Sequence, residues 1–239
     1  DKLRMLRAPR FVAQLGFSLD SASLKAIQKH QAAIVKVSTE RVFSEMRRML
    51  GSSFLIEGLK VFRESGLFSE VWPEIETANL DRLDSFGQLA DWESAFAAVM
   101  LLADKNNSDL ILRAWKAPRD SVRRVQTLMD GCKSLLNPAT TRASRMRVLG
   151  ADEFAGALQL AQGFAPGKIE GWIREFLEVA GESGKLPQPL VNGQDLIDVG
   201  VKPGAEMGNI LREIYDQQLE GKLKNKEEAL AEIGVVQRS

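Results

Sequence analysis

The sequence predicts an all-α protein: an elongated array of short helices packed one on the next, with no significant sheet. Three observations predict it. Apolar residues recur at spacings of three and four along most of the chain, the alternation expected of strands is almost absent, and the breaks between periodic segments are short. The opening residues align Asp1, Arg4 and Arg7 on one helix face, then run into an aromatic stretch that ends at Gly16. In 23–37, Leu24, Ile27, Ile34 and Val35 form a stripe, with Asp20 and Ser21 as caps. In 39–50, Val42, Phe43, Met46, Met49 and Leu50 form another. Ser38 is placed to cap that helix and Glu40 to favour its positive end. Gly51-Ser52-Ser53 ends it, and Leu55–Glu64 is a short helix closed by Ser65-Gly66. Trp72-Pro73 then breaks the chain, because a residue before Pro is pushed out of the helical region.

Further helices are predicted over 86–104, 106–116, 118–134, 138–148, 151–162 and 167–182. Pro118, Pro138 and Pro166 stand near the starts of three of them, where a missing N–H costs little. Trp92, Trp115 and Trp172 fall on apolar stripes and read as core, and Trp72 and the methionines as packing residues. DLIDVGVKPGAEMGNIL reads as helix, turn, helix: Gly200 and Gly204 allow the turn, Pro203 stiffens it, and 205–219 is the second helix. Boundaries fall near 74 and at the stiff linker Leu186-Pro187-Gln188-Pro189. They divide the chain into 1–74, 75–185 and 186–239.

Composition narrows the classes. At 44% hydrophobic residues a packed core is within reach, and formal net charge is zero. The charges are segregated. Residues 1–50 carry ten basic and four acidic side chains, and 110–150 carry nine and two. Residues 51–109 carry four and eleven, and 151–239 nine and fifteen. Two basic blocks hidden in a neutral total point either to a polyanion partner or to solvated helix faces. Cys132 is the single cysteine, so no intrachain disulfide forms, and a reducing compartment, the cytoplasm, is expected. No apolar run is long enough to span a bilayer and no signal peptide is visible, so no membrane partner is expected. His30 is the single histidine; it excludes His-rich metal sites and sits on a predicted helix surface. No metal site and no catalytic residue is expected within this chain.

Two constellations carry possible chemistry. On a helix, Asp1 and Arg4 are neighbours, which sets an acceptor beside a planar fork of donors. That pattern complements the edge of cytosine or adenine, each an amino donor beside a ring-nitrogen acceptor; the alternative is an ordinary surface ion pair. The second basic block places Arg119, Arg123 and Arg124 on one predicted helix, a candidate for salt-sensitive phosphate contacts. In the tail hairpin, Lys202 and Gly204 precede a helix N-terminus that a phosphate can approach, although a packing hairpin reads equally well. Residues 186–239 hold nine acidic and six basic side chains, so any contact with nucleic acid there must be narrow and oriented.

DKLRMLRAPRFVAQLGFSLD resembles the neck of the bacterial-type (class II) tRNA nucleotidyltransferases, the CCA-adding enzymes, and of the related bacterial poly(A) polymerases. The family pattern, roughly E-D-x-x-R-x-L-R-x-x-R-F-x-x-x-L-G-F, is met in register by Asp1, Arg4, Leu6, Arg7, Arg10, Phe11, Leu15, Gly16 and Phe17. The next motif, E-R-[IV]-x-x-E-[LM], is present as Glu40-Arg41-Val42-Phe43-Ser44-Glu45-Met46, and the L-x-P-E turn as Trp72-Pro73-Glu74. NGQDLIDVGVKPGAEMGNIL is similar to the family's tail and favours the CCA-adding branch over the poly(A) polymerases. Residues 80–185 share only helical character with the family.

The resemblance implies that 1–74 is a neck for nucleotide recognition, 75–185 a body and 186–239 a tail. It implies that Asp1 and Arg4 select CTP or ATP by base-edge hydrogen bonds without a template, with Arg7 beside them. Arg10 is expected in an ion pair or on a phosphate, and Glu40, Arg41 and Glu45 in bracing the neck or tying two helices together. It also implies Mg²⁺-dependent nucleotidyl transfer in a catalytic head ahead of residue 1, for no D-x-D pair is present here. Alone, the chain is expected to transfer no nucleotide and to bind neither Mg²⁺ nor CTP and ATP as cofactors. The partner implied is tRNA, from acceptor stem to elbow. The alternatives are the C-terminal part of a bacterial poly(A) polymerase and a non-enzymatic helical scaffold, which would expose a broad apolar groove.

Overall fold

A computed structural model describes residues 1–76, 78–151 and 155–236. Among them every regular element is helical: fourteen α-helices joined by short loops and 3-10 turns, as the periodicity predicts. Cα packing divides the chain into two units, 1–133 with 153–167, and 134–152 with 168–239.

In the first unit, α1 (Arg4–Leu15) packs on α3 (Thr39–Leu50) and α4 (Leu55–Glu64). It buries Met5, Leu6, Val12 and Ala13. Its contact with α4 is close because Gly58 has no side chain: a Cβ there would stand 2.5 Å from the Cβ of Ala13 and 2.9 Å from the carbonyl of Pro9. Gly16, in the left-handed region at φ 69°, ends α1 and returns its N–H to the Val12 carbonyl. Asp20 caps α2 (Ser21–His30), its carboxylate accepting from the Ala22 and Ser23 N–H groups. The predicted stripe over 23–37 does not hold as one helix. Residues 31–36 tighten into a 3-10 turn, which buries Ile34 and leaves Val35 68% exposed. Ser38 stands at the N-cap of α3 without a side-chain cap bond. Glu40 in the first turn and Arg47 and Arg48 in the last suit the helix dipole instead.

After α5 (Leu67–Val71), Trp72 is fully buried, stacked on Phe96 at 4.7 Å and meeting Trp115 edge-on at 5.2 Å. Phe96 belongs to α6 (Trp92–Leu102), which is buried on all sides and forms the centre of the unit. The predicted start at 86 moves to 92. Asp91 caps α6 by accepting from the Ser94 N–H at 2.8 Å, and residues 80–86 form a 3-10 turn that ends at Gly87, φ 62°. α7 (Ser108–Ala114) and α8 (Arg119–Leu136) follow. α10 (Ala155–Phe164) returns to this unit and packs Gly163 against the Phe86 ring. The predicted helix over 151–162 begins beside 152–154, which lie outside the described residues.

The second unit contains α9 (Arg142–Gly150), most of α11 (Pro166–Ala180), and α12 (Gly193–Asp198), α13 (Ala205–Leu219) and α14 (Lys226–Val236). Thr141, not Pro138, starts α9, its hydroxyl accepting from the Ser144 N–H. Leu196, Val201, Ile210, Ile214 and Ile233 share one core, and Ala143, Met146, Phe176 and Leu219 another. The Pro-rich stretch at 186–189 is fastened to α13. Tyr215 donates to the Pro187 carbonyl, and the Gln218 amide donates to the Gln188 carbonyl and accepts from the Leu190 N–H.

Candidate functional site

Asp1 precedes α1 and closes its first turn. Its carbonyl accepts from the Arg4 N–H, and its carboxylate accepts from the Leu3 N–H at 3.1 Å. The second carboxylate oxygen pairs with the Arg41 guanidinium, 3.3 Å away on α3, and not with Arg4. The expected one-turn ion pair is thus replaced by a brace across forty residues of sequence. Arg4 has no ion-pair partner among the described residues. Asp1 and Arg4 line one depression of about 480 Å³ between α1 and α2, whose walls include Met5, Ala8, Leu19 and Ile27. Apolar walls with a carboxylate and an unengaged guanidinium on the rim suit a flat heterocycle whose edge offers a donor and an acceptor.

A second depression of similar size adjoins the first along α1. Arg4, Ala8 and Leu19 line both, and Arg7, Phe11 and Phe17 line only the second. Arg7 lies over the Phe11 ring at 5.6 Å. Arg10, by contrast, is turned inward. Its Nε stands 2.7 Å from the Glu45 Oε2, both side chains 7% exposed, and its guanidinium also donates to Gln14 and lies 3.8 Å from the Phe11 ring centre. Burial pushes the Arg10 pKa below its usual value, opposed by the Glu45 carboxylate. This pair ties α1 to α3, the structural alternative for Glu45.

Glu40 meets the ammonium group of Lys116 at 2.5 Å, and that hydrogen bond holds its carboxyl below the usual carboxylate range. Lys116 sits at φ 58°, a left-handed conformation rare for a lysine, in the turn between α7 and α8. Neither this contact nor the Asp1–Arg41 brace is signalled by sequence spacing. His30 is exposed on the surface of α2, as expected, and also lines the first depression, which its position in the sequence did not suggest.

The second basic block is less free than its sequence suggests. Arg119 is exposed, but Arg123 pairs with Asp120 at 3.6 Å, and Arg124 with Asp91, the cap of α6, at 2.5 Å. In the tail hairpin Lys202 is exposed. Gly204 is extended, at φ 166°, with open space where a Cβ would stand, so its backbone demands no glycine; Gly200, at φ 94°, does. Trp92 and Trp115 are buried as expected. Trp172 is only partly buried, with Arg145 and Lys168 set against its ring.

Comparison with known proteins gives this geometry a context. A family model described as tRNA nucleotidyltransferase domain 2 matches residues 88–233, and one described as the RNA and SrmB binding site of polymerase A matches 16–79. The CCA-adding enzyme of Limosilactobacillus reuteri is 29% identical over 245 residues, covering 97% of this chain and 59% of that protein. That of Lacticaseibacillus paracasei is 30% identical over 242 residues, covering 95% and 56%. Among solved structures, the Bacillus stearothermophilus CCA-adding enzyme in complex with CTP superimposes with a TM-score of 0.76 at 24% identity, covering all of this chain and 62% of the other. The Thermotoga maritima CCA-adding enzyme complexed with tRNA gives 0.66 at 17%, covering 99% and 61%. At these identities the structures show a shared fold. The chain spans about three-fifths of the length of the relatives it matches.

Proposed function

The chain belongs to the tRNA nucleotidyltransferase family, and from that premise we propose that it selects the nucleotide and holds the tRNA during template-independent addition of CCA, or part of it, to tRNA 3′ ends. One observation carries the reading: Asp1 and Arg4 rim one apolar-walled depression, with Asp1 held by Arg41. In the proposed act, Asp1 accepts from the amino group of cytosine or adenine, and Arg4 donates to the adjacent ring nitrogen. Uracil and guanine mismatch that pair, since each offers a carbonyl acceptor and a ring N–H donor, the opposite group at both positions. Asp1 keeps acceptor capacity for this beyond its bonds to Leu3 and Arg41. Arg7 serves the neighbouring depression. The Arg10–Glu45 and Glu40–Lys116 pairs hold α3 so that Arg41 faces Asp1. Arg119, Arg123, Arg124, Lys202 and Gly204 are offered as RNA contacts.

By role we divide the chain into a neck (1–74), a body (75–185) and a tail (186–239). The substrates in this reading are CTP, ATP and tRNA, and the compartment is the cytoplasm. No helix among the described residues is long and apolar enough to cross a membrane. No group of three or more His, Cys, Asp or Glu side chains among them is placed to hold a metal ion. The resemblance places the Mg²⁺ in the head and not on these residues. The transfer chemistry is assigned to the part of the relatives' length that this chain does not span.

The test is Arg4→Ala in the enzyme that carries both portions. It should blur the choice among CTP, ATP and UTP while changing tRNA affinity little. Equal incorporation ratios in variant and parent would contradict the reading. The match of 16–79 to a polymerase A model keeps a poly(A) polymerase as the second reading.

A further inference from the structure

We propose that Arg145, Lys168 and Trp172 form an RNA-backbone contact on the second unit, two cations without carboxylate partners set against one indole ring, taking a phosphate and its ribose. It rests on the tRNA-handling reading above and names a contact surface within it.

Three residues on two helices build the surface. Trp172 lies on α11 and is partly exposed. Lys168, one turn earlier on that helix, places its ammonium group 4.9 Å from the ring centre, and Arg145 of α9 places its guanidinium 5.0 Å from it. Both distances lie within the range in which a cation is attracted to the π-face. Backbone carbonyls fix the two cations further. Lys168 reaches the Leu136 carbonyl at 3.4 Å, and the Arg145 guanidinium donates to the Thr140 carbonyl. The Nε–H of Arg145 is shielded from solvent and has no acceptor among the described residues, an uncommon state for a buried donor.

The neighbouring cations behave differently. Arg142 and Arg147, also on α9, are paired with Glu175 at 2.6 Å and with Asp216. Their charge is consumed in joining α9 to α11 and α13. Arg145 and Lys168 have no carboxylate within 4.0 Å among the described residues, so their charge remains available to a polyanion. The ring also holds two long, flexible side chains in place before any ligand arrives, which lowers the entropy lost on binding. Two fixed positive charges beside an apolar, partly exposed ring match a phosphodiester with its sugar. Such a contact positions RNA without reading its sequence.

The test is tRNA binding by the protein as a function of KCl concentration, for the parent, Lys168→Ala, Trp172→Ala and Trp172→Phe. Lys168→Ala removes an exposed side chain from a helix surface, so the fold is kept. It should weaken binding several-fold near 0.1 M salt and reduce the slope of log K against log salt by about one. Trp172→Ala should weaken binding although both cations remain, and Trp172→Phe should restore most of the loss. Parent-like affinity and slope in Lys168→Ala, with the parent binding tRNA, overturns this inference and leaves the functional reading standing. Failure of the parent itself to bind tRNA overturns both.

Discussion

Arg10 and Glu45 show how much one pair of side chains can be asked to hold. They meet at 2.7 Å where each side chain is 7% exposed, so neither is solvated by water and each depends on the other. The desolvation cost is large enough that two well-packed apolar residues would serve stability about as well, whereas loss of one partner strands a buried charge. Glu45→Ala should therefore cost about 3–5 kcal/mol, and the double variant Arg10→Met with Glu45→Leu should recover most of that loss. Urea unfolding midpoints read this directly; a Glu45→Ala variant as stable as the parent would remove the pair from the account. Asp1 and Arg41 lie at the opposite extreme. Their pair is about half exposed and contributes little to stability, so its value is directional: it aims a carboxylate at the rim of the depression. Cys132 has neither role. Burial pushes its thiol up to about 12, which leaves a neutral, inert filler of the core.

At the scale of elements, the separation between helices is set by what is missing from their surfaces. α1 and α4 approach closely at Gly58, where an added Cβ would fall 2.5 Å from the Cβ of Ala13, an atom that no rotamer change can move. Gly58→Ala should therefore destabilise by ~1–3 kcal/mol despite alanine's better helix propensity. Gly171, in the middle of α11 with open space around it, is the control: Gly171→Ala should stabilise by up to ~1 kcal/mol. Thermal melts of the two variants should move in opposite directions. If both gain stability, the two helices are not in close contact at Gly58. The same economy explains α6. A helix buried on all sides has no amphipathic stripe to mark its ends, so the Asp91 cap sets its start, and Arg124 pairs with that cap.

At the scale of the molecule, a formal charge of zero conceals blocks that alternate in sign, and folding cancels part of them. Asp91 meets Arg124 and Asp216 meets Arg147, so acidic and basic blocks neutralise each other across long stretches of sequence, and Glu40 meets Lys116 between the two basic blocks. Other cations have no carboxylate within 4.0 Å among the described residues, among them Arg4 and Arg7 on α1, Arg119 on α8, Lys202 in the tail hairpin, and Arg145 and Lys168 beside Trp172. Binding to tRNA should accordingly be salt-sensitive. Filter binding of tRNA and poly(A) at two KCl concentrations checks this. Preference for tRNA fits the CCA-adding reading, preference for poly(A) moves the protein to the polymerase branch, and indifference to both leaves a protein-binding scaffold.

The helical class, the order of elements and the Asp20 cap were legible in the sequence, because each depends on residues within one or two turns of each other. Family membership was legible too, in four motifs that keep their residue types and order. The motifs also named Asp1 and Arg4, which line the same depression, and Glu45, which braces two helices. The sequence did not disclose that Asp1 pairs with Arg41 and Glu40 with Lys116, that 31–36 tightens and exposes Val35, or that Trp172 stands partly outside the core with one cation from its own helix and one from α9 against its ring. Those outcomes depend on which helices come to lie beside one another, and no periodicity within a single helix encodes its neighbour. Local spacing decides where a helix runs and which face is apolar. Only the packed structure decides which charges are cancelled and which are left to meet a ligand.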